Sequence, residues 1–373
     1  MRDKLYAAIS ILIGIALALA LGEAICRFLP VNDGLKAMPV NASAPVFHFT
    51  PNRNVTWSRD WNFSIVNRIH VNNAGYVNNQ NYDARDPRPL LAVVGDSYVE
   101  AAMVPPHDTL QGRLAKALAP AARVYSFAAS GAPLSQYLAW AREAREKWKA
   151  QALIIVVVGN DFDESLAIYK QGPGFHHYVA GANGALHLQR FDYEPSLLRL
   201  AVRKSALARY VLFNLQAHEH LPALANELMS FVRPARADIF VGNTSASTDA
   251  DRLRWSKAAV LAFLHDLSAY AGWPLGSVVF VVDGVRYPSN NPAVAASYFV
   301  QMREFFIAAA RRAGYEAIDM DPTFFAHYRA TGERFEFPTD GHWNGLAHRL
   351  AAEAALHSAL LSGWKPTAAQ ASR

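Results

Sequence analysis

Residues 90–97 read Leu90-Leu91-Ala92-Val93-Val94-Gly95-Asp96-Ser97. Five apolar residues in unbroken succession suit a strand buried on both faces, as in a parallel sheet, and not the alternation of a half-exposed strand. The run stops at Gly95, and two polar residues follow at once. The same grammar recurs down the chain. Val124-Tyr125-Ser126-Phe127 leads into Ala128-Ala129-Ser130-Gly131, and the apolar run Ala152 to Val158 ends at Gly159-Asn160-Asp161. Ser277 to Val282 and Glu316 to Asp319 predict a fourth and a fifth strand. Helical stretches lie between them at Asp108–Leu118, Leu134–Ala150 and Pro292–Ala313. Strand–helix alternation with wholly apolar strands predicts a three-layer α/β/α fold around a mainly parallel five-stranded sheet.

Outside this core the rhythm changes twice. More than a hundred residues separate the third strand from the fourth, too many for a simple crossover. This stretch, about 164–273, contains a Gly-rich aromatic segment (Gly172 to Tyr193), a helix predicted around Leu197 to Met229, a polar stretch (Arg236 to Asp251) and a helix ending near Ala271. It reads as a helical insertion that caps the core. Residues 31–88, rich in Asn, Pro, Trp and Tyr with a turn at Asn72-Asn73-Ala74-Gly75, read as a β-containing extension. The core with its insertion is expected over 89–365. There is no internal repeat.

The N-terminus sets the compartment. Arg2 and Lys4 precede an uncharged apolar run from Leu5 to Gly22, closed by Glu23. At about 1.5 Å per residue this nearly spans a hydrocarbon core of about 30 Å. It is longer than the apolar region of a usual signal peptide, so residues 1–30 read as an uncleaved signal anchor. Cleavage after Ala18-Leu19-Ala20, giving a secreted protein, is the other reading. The basic residues ahead of the run keep the N-terminus cytoplasmic. The body is then expected outside the inner membrane, in the periplasm, on a single span. The lone Cys26 excludes an internal disulfide framework.

With 52% hydrophobic and 18% charged residues, the 373-residue chain suits a large buried core and excludes disorder. The net charge of +5 is mild for this length, and no Lys/Arg run forms a nucleic-acid groove. No Gly-x-Gly-x-x-Gly follows a strand and no Walker-type loop is present, so nucleotide and dinucleotide cofactors are not expected. His176-His177 and the pair His218/His220 are metal-ligating residue types. The first sits in a Gly-rich segment and the second is wrongly spaced for one helix face, so no metal is expected.

The chemistry concentrates where strands end. Loops at the carboxyl ends of parallel strands are where open α/β sheets build their sites. Ser97 is one such residue, placed either to act as a nucleophile or to cap a helix. Near the far end lies Pro338-Thr339-Asp340-Gly341-His342-Trp343-Asn344. Pro338 and Gly341 exclude a helix, and in an extended segment residues two apart project to the same side. Asp340 can therefore hold one nitrogen of His342 and leave the other free as a base. Asp319 and Asp321 are the fallback orienters. Gly131 and Asn160 end two other strands. With the Ser97 N–H, the Gly131 N–H and the Asn160 amide are candidate donors to an oxyanion, an ordinary turn glycine and a strand-end Asx turn being their plainer readings. Asn344 is placed to cap a final helix with Leu346, Leu350, Ala354 and Leu361 inward. The nucleophile elbow Gly-x-Ser-x-Gly fails because Val99 stands where glycine is needed.

The ordered set resembles the SGNH (GDSL-like) hydrolase superfamily. Gly95-Asp96-Ser97, with Glu100 where some members carry an acid, is similar to its first block. Ser130-Gly131 matches the second, Gly159-Asn160-Asp161 the third, and Asp340-Gly341-His342-Trp343-Asn344 the last. The match covers roughly residues 88–162 and 277–361. In two places the chain departs from the pattern. Val158 stands where the third block has its glycine, and the final acid is two residues before the histidine instead of three. The second spacing resembles that of the alginate O-acetyltransferase-like group. The resemblance implies a flavodoxin-like fold and a serine esterase, with Ser97, His342 and Asp340 catalytic and Ser97, Gly131 and Asn160 lining the oxyanion hole. It further implies O-acyl, chiefly O-acetyl, esters of an envelope or extracellular polysaccharide as substrate. An O-acetyltransferase linked to a polysaccharide assembly or export system is the alternative. A non-catalytic glycan-binding scaffold is the alternative from another class.

Overall fold

A strand that is apolar throughout must be covered on both faces; four of the five runs are buried along their whole length, and Glu316–Asp319 is only partly so. In the computed structural model, which describes residues 2–217, 240–245 and 247–364, they form one sheet. Its strands are β1 (Leu90–Gly95), β2 (Arg123–Ala128), β3 (Ala152–Val157), β4 (Val278–Val282) and β5 (Glu316–Asp319), in the spatial order β2-β1-β3-β4-β5. All four pairings are parallel. This is the flavodoxin-like order, in which the winding reverses beside β1. Register aligns the carboxyl ends: Gly95 lies opposite Ala128, Val94 opposite Ile155, and Val157 opposite Val282.

The covering helices are α1 (Leu110–Leu118), α2 (Leu134–Glu146), α3 (Ala250–Ala269), α4 (Tyr298–Arg312), α5 (Asp321–Thr331) and α6 (Gly345–Leu356). Alternate strand residues divide between two layers, as the two-residue side-chain period demands. Leu91, Val93, Val124, Ile154, Val156, Val279 and Val281 share a fully buried cluster with Leu110 and Leu114 of α1 and Ala351 of α6. On the opposite face, Phe280 of β4 meets Phe263 of α3 and Phe306 of α4, with ring centroids 6.2 and 5.0 Å apart.

Several boundaries differ from expectation, each for a local reason. The first helix begins at Leu110 and not Asp108, because the Thr109 hydroxyl caps it by accepting from Gly112 N. The stretch Pro292–Ala313 is two helices, since the Ser297 hydroxyl starts α4 afresh by accepting from Val300 N. The expected cap is neither wholly helical nor wholly separate. His176–Ala180 pairs antiparallel with Leu186–Arg190, and Asn183-Gly184, with Gly184 at φ +77°, makes the turn. Helix α3, expected within the cap, packs beside α2 and α4 and buries Val260, Phe263, Leu264 and Leu267. It is the crossover helix into β4. Its apolar spacing was a helix signal, but spacing alone does not say which surface a helix covers.

Among the described residues the chain divides into two compact units: residues 37–53, 70–194, 240–245 and 247–364, which hold the sheet, and residues 2–36, 54–69 and 195–217. The division runs through the expected 31–88 extension. In the smaller unit the helix Arg2–Phe28 is exposed along its apolar run. It is long and apolar enough to cross a membrane. Glu23 near its end accepts bonds from Ser205 Oγ, Ala206 N and Leu207 N at 2.7, 3.1 and 2.9 Å. Cys26 is buried with Val31 and Ala206. The helix expected at Leu197–Met229 is broken into Leu197–Val202 and Ala206–Arg209, with the Ser205 hydroxyl capping the second by accepting from Ala208 N. A further helical segment follows at Tyr210–Asn214, and the part from residue 218 on, with His218 and His220, lies outside the described residues.

Ile154 sits fully buried at the centre of β3. Ile154→Ala is expected to destabilise the sheet unit by about 2–5 kcal/mol, through lost transfer energy and the cavity left behind. Urea unfolding should show this as a lowered midpoint with an unchanged slope.

Candidate active site

Four of the expected residues, Ser97, Gly131, Asn160 and His342, lie in loops or short elements that follow sheet strands or the last crossover. Gly95 lets β1 turn sharply, for a Cβ there would lie 2.5 Å from Val99 Cγ2. The next residue, Asp96, is the N-cap of the short helix Ser97–Glu100 and accepts from Tyr98 N at 2.9 Å. Ser97 therefore does not spend its hydroxyl on capping. Its Oγ lies 2.8 Å from His342 Nε2. A second acceptor, Asp96 Oδ2, is 3.2 Å away. The single hydroxyl proton has the shorter path to the imidazole.

Asp340 and His342 belong to the strand Asp340–Trp343, paired antiparallel with Glu336–Phe337. In this extended segment both side chains fall on one side, as the spacing requires. Asp340 Oδ1 accepts from His342 Nδ1, and also from the His342 backbone N at 3.0 Å. The Asp340 side chain is wholly buried, while that of His342 is 21% exposed. One carboxylate thus orients the ring and leaves Nε2 facing Ser97. The fallback orienters are engaged elsewhere. Asp319 pairs with Arg303, and Asp321 accepts from Arg286 N at 3.1 Å and lies 3.1 Å from Arg303 Nη2. Asn344 caps α6, its Oδ1 accepting from Leu346 N and Ala347 N at 3.0 and 3.1 Å.

Gly131 follows β2 at φ +75°, a conformation that favours glycine. Asn160 follows β3. Its Nδ2 donates to Glu164 Oε2 at 3.1 Å, and its Oδ1 accepts from Asn243 Nδ2 at 3.2 Å. Lys170 Nζ pairs with Glu164 and donates to Gly131 O at 3.3 Å. The Glu164–Lys170 pair thus ties the two loops together and holds the Asn160 amide. That bond uses one of the two Nδ2 hydrogens.

Buried acids crowd this edge of the sheet. Glu100 accepts from Ser130 N and Ser130 Oγ, both at 2.8 Å, and so sets the loop carrying Gly131. Burial pushes its pKa up to about 7. Burial likewise pushes Asp96 up to about 6. Asp161, which accepts from Val158 N and Tyr137 OH at 2.8 and 2.7 Å, is raised by burial and then by Asp96. The cause in each case is desolvation of the charged form.

A second cluster lies behind the base. Asp283, which closes β4, accepts from Trp343 Nε1 at 2.9 Å and from Arg286 Nη2 at 2.7 Å. The same Arg286 Nη2 donates to Tyr98 OH at 2.6 Å, and Nη1 donates to Gly341 O at 2.6 Å. Burial pulls the Arg286 pKa down, but Asp283 and Tyr98 together more than offset this and the guanidinium stays charged. Tyr98 packs its ring 5.1 Å from His342 and 5.3 Å from Trp343. None of Asp283, Arg286, Tyr98, Glu164 or Lys170 was a sequence candidate. Asp283 carried the one usable signal, a polar residue closing an apolar strand at the same edge as Ser97. The histidines first weighed as metal ligands are occupied: His176 Nδ1 is 2.9 Å from Gln136 Oε1, and His177 contacts Glu164 O and Gly172 N.

No family model matches this chain, and no curated protein matches it. Solved structures do. One is a two-domain esterase active on acetylated mannans, 11% identical over 75% of this chain and 51% of that one, with a TM-score of 0.38; this chain spans about half its length. An acetyl xylan esterase variant from Geobacillus stearothermophilus is 11% identical over 75% of this chain and 96% of that one, at a TM-score of 0.38. A lipolytic G-D-S-L family protein from Veillonella parvula is 11% identical over 72% and 97%, at 0.35.

The buried acids carry a pH dependence. A folded-state pKa raised from 4.5 to about 7 means that the native state favours protonated Glu100, so its contribution is fully present below about pH 4.5 and is lost as pH rises through about 7. A shift of this size is on the order of 3 kcal/mol. Thermal melts of the wild type should fall across that window, and Glu100→Gln should flatten the fall.

Proposed function

We propose that this chain is an SGNH-type serine esterase that cleaves O-acyl, chiefly O-acetyl, esters of an envelope or extracellular polysaccharide through an acyl-serine. The observation that carries the reading is the unbroken hydrogen-bonded chain from buried Asp340 through His342 to Ser97 Oγ. The roles follow from its chemistry. Ser97 Oγ attacks the ester carbonyl carbon as His342 Nε2 takes its proton, and Asp340 stabilises the imidazolium. The Ser97 and Gly131 N–H groups and the Asn160 amide, through its second Nδ2 hydrogen, hold the oxyanion. The tetrahedral adduct collapses, and His342 returns the proton to the departing sugar oxygen. Water, activated by the same histidine, then attacks the acyl-serine and frees the carboxylic acid and Ser97. No cofactor enters these steps.

The helix Arg2–Phe28 supports a single-pass inner-membrane anchor, with Arg2 and Lys4 cytoplasmic and the sheet unit periplasmic. Secretion after cleavage is the competing outcome. The spacing Asp340-x-His342, together with an anchor, favours a second reading, O-acetyl transfer onto a polysaccharide hydroxyl in a polysaccharide assembly or export system. Acetyl donor plus oligosaccharide should then give acetylated sugar, and hydrolysis alone under those conditions excludes it.

Wild-type protein is expected to label with a fluorophosphonate and to hydrolyse 4-nitrophenyl acetate, and Ser97→Ala to do neither. Absence of both in folded wild type overturns the enzyme reading and leaves a glycan-binding scaffold. Asn160→Ala should lower kcat by about 10²–10³-fold with little change in KM, because its donor acts on charge that develops only in the transition state.

A further inference from the structure

We propose that Arg286 is a positioning residue: its guanidinium locks the strand carrying Asp340 and His342 against the segment carrying Ser97. The proposal rests on the acyl-serine reading for its catalytic consequence, and on geometry alone for the clamp. Asp340 and His342 are separated by one residue, Gly341, whose carbonyl accepts from Arg286 Nη1 at 2.6 Å. The other arm of the fork, Nη2, donates at 2.6 Å to the hydroxyl of Tyr98, the residue next to Ser97. One rigid, planar cation therefore bridges the backbone of the base to the neighbour of the nucleophile. Gly341 has no side chain to hold it; among the described residues its strand pairs with the two residues Glu336–Phe337, and its carbonyl otherwise takes a long bond from Tyr98 OH at 3.4 Å. A strand that short is marginal without a further restraint.

The clamp is itself anchored. Asp283 at the end of β4 accepts from Arg286 Nε and Nη2 at 3.3 and 2.7 Å, and with its side chain fully buried it balances the cation. The same carboxylate holds Trp343 Nε1, so the residue after His342 is tied to the same point. Arg286 adopts φ +67°, a left-handed backbone that non-glycine residues rarely take, and its N–H donates to Asp321 Oδ1. The backbone is thus turned to send a long side chain back across the sheet edge. Nothing in Arg286 touches Ser97 Oγ or the His342 ring. Its action is through Gly341 and Tyr98.

The test uses the full chain and Arg286→Lys, which keeps the charge opposite Asp283 but has no second arm. The neutral pair Arg286→Met with Asp283→Asn is the second variant, removing the ion pair without stranding a buried charge. Four quantities are read: the melting temperature, kcat and KM on 4-nitrophenyl acetate, and the low-field proton NMR resonance of the His342 Nδ1–H on Asp340. Folded Arg286→Lys is expected to lose about 10²-fold in kcat with KM little changed, as for a misplaced catalytic pair. Its low-field resonance should move upfield or vanish. A folded variant that keeps the wild-type resonance overturns the proposal. So does a fall in kcat that only tracks the folded fraction. If wild type shows the resonance but no acyl transfer, the functional reading fails while the resonance still decides the clamp.

Discussion

Parallel register is the constraint from which the rest follows. When neighbouring strands run the same way and start at similar heights, their carboxyl ends finish together. Gly95 opposite Ala128 and Val157 opposite Val282 place four loops along one edge. Ser97, Gly131, Asn160 and Asp283 come from sequence positions far apart, yet each is the first or second polar feature after an apolar strand. Four of the five strands are buried throughout, and close packing against the helices on both faces fixes how they align. The site is a by-product of core packing: the same hydrophobic runs that hold the sheet together deliver its polar ends to one place.

That delivery has an electrostatic consequence. Asp96, Glu100, Asp161, Asp283, Asp321 and Asp340 all lie buried in the sheet unit. Asp96, Glu100 and Asp161 are satisfied by backbone and hydroxyl donors, and desolvation raises the pKa of each. Other acids meet arginine: Asp283 pairs with Arg286, and Asp319 and Asp321 with Arg303. The sheet unit therefore holds buried acids satisfied by local donors beside acids paired with arginine.

Much of this was legible in the residues, and the reasons differ by element. Strands were plainest where the apolar run is unbroken, as at Leu90–Val94 and Ala152–Val158. The Asp340–His342 pairing was plain because two side chains two apart in an extended segment must meet. The Ser97 ambiguity, nucleophile or cap, was not resolvable there. It depended on whether Asp96 or Ser97 would cap the short helix, and either side chain can do so. The role of α3 was misassigned because an amphipathic helix looks the same whether it covers a sheet or a cap. The hairpin 176–190 was missed although Asn183-Gly184 marked its turn, because flanking glycines hid the strand pattern.

Local physics, then, determined the strands, their polar termini and the identity of the residues able to act as nucleophile, base and orienter. Those choices depend on side-chain period, backbone preference and chemical type, which are properties of neighbouring residues. Only the tertiary structure decided that Arg286 reaches Gly341 and Tyr98, that Glu164 holds the Asn160 amide, and that Asp319 and Asp321 serve Arg303 instead of His342. Apart from Glu164 and Asn160, which are four residues apart, these are contacts across many residues of chain. Which partner a long or charged side chain finds is set by the packing of surrounding elements, and that information is not local to any stretch of sequence. Asp340–His342–Ser97 spans both cases: the first link is written in the spacing, and the second exists because the sheet brings residues 245 apart in sequence within 2.8 Å.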